Sequence, residues 1–79
     1  MPKFVPIRGR DLIRILEKYG FEQIRKRGSH VRLVHPNGRR TTVPVHRGED
    51  IQRGLLRKIL RDVSLTPQEF ERLRMSKKR

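Results

Sequence analysis

The chain has 79 residues, of which 21 are Lys or Arg and 8 are Asp or Glu, so its formal net charge is +13. This length allows one small domain, and the excess charge makes nucleic acid the expected partner, with an anionic membrane or an acidic protein as alternatives. The absence of cysteine excludes disulfides, a thiolate nucleophile and a zinc finger. No apolar run suits a membrane span or a signal peptide, so we expect a soluble cytoplasmic protein.

The N-terminal third predicts a helix followed by a strand. Residues 1–8 contain two prolines and are expected to be extended. Apolar residues then recur at helical spacing over 9–19, and Gly20 is a typical C-terminal stop. A first strand is predicted over 21–26, with an irregular or bulged start because its apolar residues do not alternate strictly.

Two further strands are expected to form a hairpin. The turn Gly28-Ser29 precedes a strand over roughly 29–35, and Pro36-Asn37-Gly38 is a strong hairpin signal. The third strand is predicted over 40–45. Because Pro44 has no N–H to donate, this strand must be an edge strand or must end at Pro44.

The C-terminal part predicts two helices after a loop over 46–50. An apolar stripe at helical spacing runs to Val63, but Gly54 costs a helix about 1 kcal/mol relative to Ala, so we expect the helix to start nearer 54 than 50. The capping box Thr66-Pro67-Gln68-Glu69 predicts a short helix over 67–74.

The predicted order is α-β-β-β-α plus a short C-terminal helix. This order indicates an α+β fold, a two-layer sandwich in which a three-stranded antiparallel sheet carries helices on one face. We expect a single domain over 1–74 and a basic, disordered tail over 75–79. The second face of the sheet is then open to solvent or to a ligand.

The hairpin register decides which side chains this open face carries. A three-residue loop pairs Val31 with Val43 and Leu33 with Thr41, which gathers the apolar residues on one face. A two-residue loop would leave valines on the wrong face. With the three-residue loop, the open face carries His30, Arg32, Val34, Arg40, Thr42, Pro44 and, if the strand extends that far, His46.

In this register His30 lies opposite Pro44 and diagonal to His46, and diagonal neighbours are about 7–8 Å apart. A phosphate fits between two imidazoles at that distance. His30 can therefore act as a general acid or base on RNA, with nearby cations stabilising the charge that develops. A solvated or phosphate-contacting histidine is the commoner alternative. His35, at the turn end of the hairpin, is expected to be inert.

The basic residues at 25–27, 32, 39–40, 47, 53 and 57–58 predict a surface of solvated charges that contacts a nucleic-acid backbone. The predicted RNA contacts are Lys26, Arg27, Ser29, Arg32, Arg40 and Arg47. Only one acidic pair, Glu49-Asp50, lies near, and no carboxylate cluster joins it. We therefore expect neither a metal nor another cofactor.

Four motifs in this order resemble the HicA family of toxin ribonucleases, over about residues 7–74. They are Gly20-Phe21, Lys26-Arg27-Gly28-Ser29-His30, Val43-Pro44-Val45-His46 and Arg53-Gly54-Leu55-Leu56-Arg57-Lys58-Ile59-Leu60. The sequence departs from the family pattern at Arg8, where a capping Ser or Thr is frequent, and at Arg27 and Val31 beside the histidine.

The resemblance implies a fold like that of a double-stranded-RNA-binding domain. It also implies an mRNA-cleaving toxin that is held inactive by a HicB-like antitoxin protein, with His30 as the catalytic residue. His46 matches the second recurrent histidine of the family, and its role stays open. Two other functions remain: a non-enzymatic RNA-binding module of the same shape, and a small basic protein that docks an acidic partner.

Overall fold

The computed structural model describes residues 6–75. The predicted order of elements is confirmed, with bounds that differ from the predicted ones by at most one residue. The elements are α1 (Gly9–Lys18), β1 (Glu22–Arg27), β2 (His30–Val34), β3 (Arg40–Pro44), α2 (Arg53–Asp62) and α3 (Pro67–Met75). Most of the extended lead-in expected at 1–8 and of the tail expected at 75–79 lies outside the described residues, although Met75 still belongs to α3.

Helix α1 forms because its apolar residues fall on one face. Leu12, Ile13, Ile15 and Leu16 are all buried. At its N-terminus Arg8 makes no side-chain capping hydrogen bond, as expected for a chain without Ser or Thr at this position. None of the helices within residues 6–75 is long and apolar enough to cross a bilayer.

The sheet is an antiparallel meander in the order β1-β2-β3. The predicted hairpin register is confirmed, since Val31 pairs with Val43 and Leu33 pairs with Thr41. The loop has three residues, because the His35 N–H donates to the Arg39 carbonyl at 2.8 Å. Gly38 has φ +98°, the left-handed conformation that such a loop requires at this position.

Strand β1 is an edge strand in which all six residues are exposed. The expected irregularity is a register shift between Gln23 and Arg25, which leaves Ile24 outside the ladder and 57% exposed. Phe21 precedes the strand and is buried in the core. Without this shift Arg25 and Arg27 would lie on the same face as Phe21, so the bulge lets Phe21 point inward while these two arginines lie on the open face.

The helices cover one face of the sheet, and the core lies between the two layers. The buried side chains include Leu33 and Val43 from the sheet, Leu56 and Ile59 from α2 and Phe70 from α3. The predicted capping box of α3 is present in both directions: the Glu69 N–H donates to Thr66 Oγ1 at 3.1 Å and the Thr66 N–H donates to Glu69 Oε1 at 3.0 Å. This α+β sandwich leaves the second sheet face open.

Candidate functional site

His30 begins β2 on the open face of the sheet. It follows the two-residue turn Gly28-Ser29, in which Gly28 has φ +57°, as the first loop residue of a type II′ hairpin does. Alternation along β2 leaves His30 exposed and buries Val31 and Leu33. Burial of each of these apolar side chains contributes about 1.5–3 kcal/mol. The core therefore fixes the face on which His30 lies.

Four arginines share the open face with His30. In the β1–β2 ladder Arg27 pairs with His30 and Arg25 pairs with Arg32. Arg40 lies on the same face of β3, because the next residue along that strand is buried on the opposite face. All four guanidinium-bearing residues are exposed. This concentration of positive charge is typical of a surface that contacts phosphates.

Lys26, a predicted RNA contact, lies on the other face of β1. It pairs with the buried Val31 and lines a groove that also includes Arg10 and Glu17 of α1. Consecutive residues of a strand point to opposite faces, so Lys26 and Arg27 cannot share the open face. The same alternation adds Arg25 to the open face. Arg25 belonged to the predicted basic surface but was not among the predicted RNA contacts.

Ser29 connects the turn before His30 to the end of β3. Its carbonyl accepts a hydrogen bond from the Val45 N–H at 2.6 Å. Pro44 occupies a non-hydrogen-bonded position opposite His30, so its missing N–H costs no ladder bond, and the bond from Val45 continues the pairing one residue beyond β3. His46 follows immediately, and its position is therefore tied to the turn that carries His30.

His30 and His46 line one cleft at this end of the sheet, with a volume of about 370 Å³. The first histidine belongs to β2 and the second to the loop after β3, which ends at Pro44. The other lining residues are Pro44, Glu49, Asp50, Ile51, Gln52 and Leu55. The structure thus brings together the two histidines that the register had indicated.

The loop after His46 is held by hydrogen bonds at both ends. The Glu49 N–H donates to the His46 carbonyl at 3.1 Å. Asp50 Oδ1 accepts from Arg8 Nε at 3.1 Å, and the same two residues form a backbone bridge. The sequence showed Glu49 and Asp50 only as a neighbouring acidic pair. Their place in the cleft depends on docking of the loop to the N-terminal segment, which no local pattern reveals.

Arg47 is exposed but does not line the cleft of the two histidines. It lines a neighbouring cleft of about 490 Å³ together with Arg8 and Arg10. His46 contributes to both clefts. Arg47 is therefore beside the candidate site, in a cleft that shares His46 with it but not His30.

Arg39 was expected to be a solvated surface charge, and this expectation is wrong. Its guanidinium carbon lies 5.3 Å from the centroid of the Tyr19 ring and 5.8 Å from that of Phe21. Its Nη1 donates to the Val63 carbonyl. His35 packs edge-on against Phe21 with 5.0 Å between ring centroids, and its Nδ1 accepts the Asn37 N–H. Both residues contribute to packing under the hairpin.

The geometry combines two imidazoles in one cleft with an arginine-rich surface beside it. An imidazole can accept or donate a proton near neutral pH, and guanidinium groups stabilise negative charge on phosphate oxygens. Across residues 6–75, no group of three or more His, Cys, Asp or Glu side chains is arranged to hold a metal ion. The site can therefore support proton transfer at a bound phosphodiester.

Comparison with known proteins gives one family. Residues 9–65 match the model of the HicA toxins of bacterial toxin–antitoxin systems. The matched segment runs from the start of α1 to just beyond α2 and includes both cleft histidines. No curated protein matches the chain significantly.

Proposed function

The chain belongs to the HicA toxin family of bacterial toxin–antitoxin systems, and from this membership we propose that it is an endoribonuclease that cleaves mRNA. One observation carries the proposal. His30 is exposed at the edge of an arginine-rich sheet face and lines the same cleft as His46. Metal-independent RNA cleavage needs a group that transfers protons and cations that stabilise the developing negative charge. An exposed imidazole beside arginine side chains can supply both.

In the proposed reaction His30 acts as the general base. Its neutral imidazole accepts the proton of a ribose 2′-OH, and the 2′-oxygen attacks the adjacent phosphorus. The bond from phosphorus to the 5′-oxygen breaks, which gives a 2′,3′-cyclic phosphate and a 5′-hydroxyl. Arg27 and Arg32 would stabilise the charge on the non-bridging oxygens, since both are exposed beside His30 on the same face.

The departing 5′-oxygen needs a proton, and we assign this step to His46. It is the second imidazole of the cleft. Its position is held by the bond from Val45 to Ser29 on one side and by the turn to Glu49 on the other. A base and an acid on opposite sides of one phosphate allow both proton transfers without a metal or a cofactor.

Family membership also supports a partner and a location. We propose that a HicB-like antitoxin binds the toxin and blocks cleavage, with a hetero-oligomer as the resting form. An antitoxin that covers the arginine-rich face must present complementary negative charge there. Cleavage of mRNA requires that the free toxin act in the cytoplasm.

The arginine-rich face alone also favours a second candidate, a non-enzymatic RNA-binding module. Such a module needs the phosphate contacts but not the imidazoles. Docking of an acidic protein partner without RNA is the remaining alternative. Both predict that the isolated chain leaves RNA intact.

The experiment uses the purified chain and a single-stranded RNA in buffer with EDTA. We expect cleavage products that end in a 2′,3′-cyclic phosphate, and no cleavage of DNA of the same sequence, which lacks the 2′-OH. His30→Ala is expected to slow cleavage by about 10²–10⁴-fold, whereas Arg72→Ala, which changes an exposed residue of α3, is the surface control. RNA that is bound but never cut by the wild type would refute the enzyme and favour the binding module.

A further inference from the structure

The cleft of His30 and His46 has one wall that proton transfer does not require. Glu49 and Gln52 are exposed there, and the half-buried Leu55 lies beside them. A carboxylate repels phosphate, so this wall is unsuited to the RNA backbone that the neighbouring arginines attract. It must face a different part of the ligand.

Two side chains of this wall have acceptor groups for a ligand. Gln52 is the N-cap residue of α2, but its side chain makes no capping hydrogen bond. Glu49 belongs to a turn that is closed by the hydrogen bond from its own N–H to the His46 carbonyl. Asp50 differs, because its carboxylate is paired with Arg8 at 3.1 Å. The acceptors that remain for a ligand are therefore those of Glu49 and Gln52.

Part of the cleft lining is apolar. Pro44 and Leu55 are half-buried and Ile51 is buried, so the apolar surface that the cleft exposes comes mainly from Pro44 and Leu55. The volume of about 370 Å³ lies at the lower end of the range of roughly 300–1,000 Å³ for small-molecule sites. An apolar contact and a volume of this kind suit one planar group with polar edges.

We propose that this cleft seats one nucleobase next to the scissile phosphate and selects bases that carry an exocyclic amino group. A carboxylate accepts a hydrogen bond from such an amino group, and a glutamine side chain pairs with an amino group and a neighbouring ring nitrogen. Uracil presents a carbonyl in the same place and would set an acceptor against the carboxylate of Glu49. The base site rests on the proposed function, since it takes RNA to be the ligand.

The cleavage test uses DNA oligonucleotides with a single ribonucleotide, so that only one phosphodiester can be cut. The bases on the two sides of that bond are varied separately among uracil, cytosine, adenine and purine, which is adenine without its amino group. At one of the two positions, we expect kcat/KM to be about 5- to 100-fold higher for adenine than for purine and for cytosine than for uracil. Glu49→Ala should reduce these ratios towards one.

Glu22→Ala is the matched control. Glu22 is exposed on the open face and pairs with Val34 at the far end of the ladder, away from the cleft. Glu22→Ala removes the same negative charge as Glu49→Ala, so any general gain in affinity for a polyanion is equal in the two variants. The two variants should therefore differ only in the ratio of kcat/KM between bases, and Glu22→Ala should leave this ratio at the wild-type value.

A binding measurement separates failure of the base site from failure of the proposed function. All-deoxy pentanucleotides that differ in one base cannot be cut, and their affinity is measured by fluorescence anisotropy at fixed salt. A preference for amino-bearing bases that Glu49→Ala removes supports the base site even if the chain cleaves no RNA. Equal rates and equal affinities for all bases, or a preference that survives Glu49→Ala, would overturn the base site even if cleavage is found.

Discussion

His30 lies directly opposite Pro44 across the β2–β3 ladder. This pair occupies a non-hydrogen-bonded position of the antiparallel ladder, so the missing proline N–H costs the ladder no bond, and the Val45 N–H donates to the Ser29 carbonyl at 2.6 Å. The chain leaves the sheet immediately afterwards, at His46. The register of the hairpin therefore decides that two imidazoles meet in one cleft.

The roles assigned to the two histidines can be told apart by the leaving group. His46→Ala should slow cleavage of ordinary RNA by about 10²–10⁴-fold, because the departing 5′-oxygen loses its proton donor. A linkage with sulfur in place of the 5′-oxygen needs no such donor, so His46→Ala should then approach the wild-type rate. His30→Ala should remain slow on both linkages.

The assay compares single-turnover rates of the two variants on both linkages. If His46→Ala stays slow on the sulfur linkage, then His46 does not protonate the leaving group. If it cleaves ordinary RNA at the wild-type rate, then His46 has no part in the reaction.

Gly9 is predicted to be intolerant of any side chain. A Cβ at this position would lie 2.2 Å from the Pro44 carbonyl oxygen and 3.2 Å from Val45 Cα, and both are backbone atoms. Gly9→Ala must therefore push α1 away from the end of β3, which costs about 1–3 kcal/mol in the free energy of unfolding. Urea denaturation measures this loss, and cleavage should fall as well because His46 moves with Val45.

Gly54 is the matched control for this substitution. It lies within α2, and apart from its chain neighbours and the nearby backbone of its own helix no atom comes within 4 Å of an added Cβ. Gly54→Ala should raise the free energy of unfolding by about 0.5–1 kcal/mol, because alanine loses less backbone entropy in a helix. Equal effects of the two substitutions would contradict the close packing of Gly9 on Pro44.

Arg25 and Lys26 are neighbours in sequence but lie on opposite faces of β1. Arg25→Gln should weaken binding of single-stranded RNA and lower the salt dependence of log K by about 0.7, the amount for one lost phosphate contact. Lys26→Gln should change the RNA affinity and its salt dependence much less. Binding titrations at several salt concentrations measure these slopes. A larger effect of Lys26→Gln would mean that RNA binds the helix side of β1.

Arg39→Ala is expected to act on stability and not on RNA. The guanidinium contacts Tyr19 and Phe21 and donates to the Val63 carbonyl. Loss of these contacts should cost about 1–3 kcal/mol in the free energy of unfolding. The affinity of the folded variant for RNA, measured well below its unfolding midpoint, should stay at the wild-type value. A marked loss of RNA affinity with unchanged stability would reverse this assignment.

The sequence was sufficient to predict the hairpin and the face of the sheet on which His30 lies. Gly38 in a three-residue loop and the inward positions of Val31 and Val43 were predictable because a strand has only two faces and apolar residues must share one. The capping box at Thr66 was equally local, since all its atoms lie within four residues. These features depend on short-range geometry, which the chain encodes directly.

The remainder of the site depends on tertiary contacts. Arg39 is adjacent to the exposed Arg40 in sequence, but the end of α1 brings Tyr19 beneath its side chain. Glu49 enters the cleft because the loop is held to the N-terminal segment through Asp50 and Arg8. Neither contact follows from a periodic pattern, because each joins elements far apart in the chain.

The most direct measurement compares wild type and His30→Ala for RNA cleavage in EDTA and for RNA affinity in parallel. His30 is exposed, so its removal should leave the fold and the phosphate contacts intact. We predict that the cleavage rate falls by about 10²–10⁴-fold while affinity and unfolding free energy are unchanged. A His30→Ala variant that binds RNA and cleaves it at the wild-type rate would contradict the assignment of His30 as the catalytic residue.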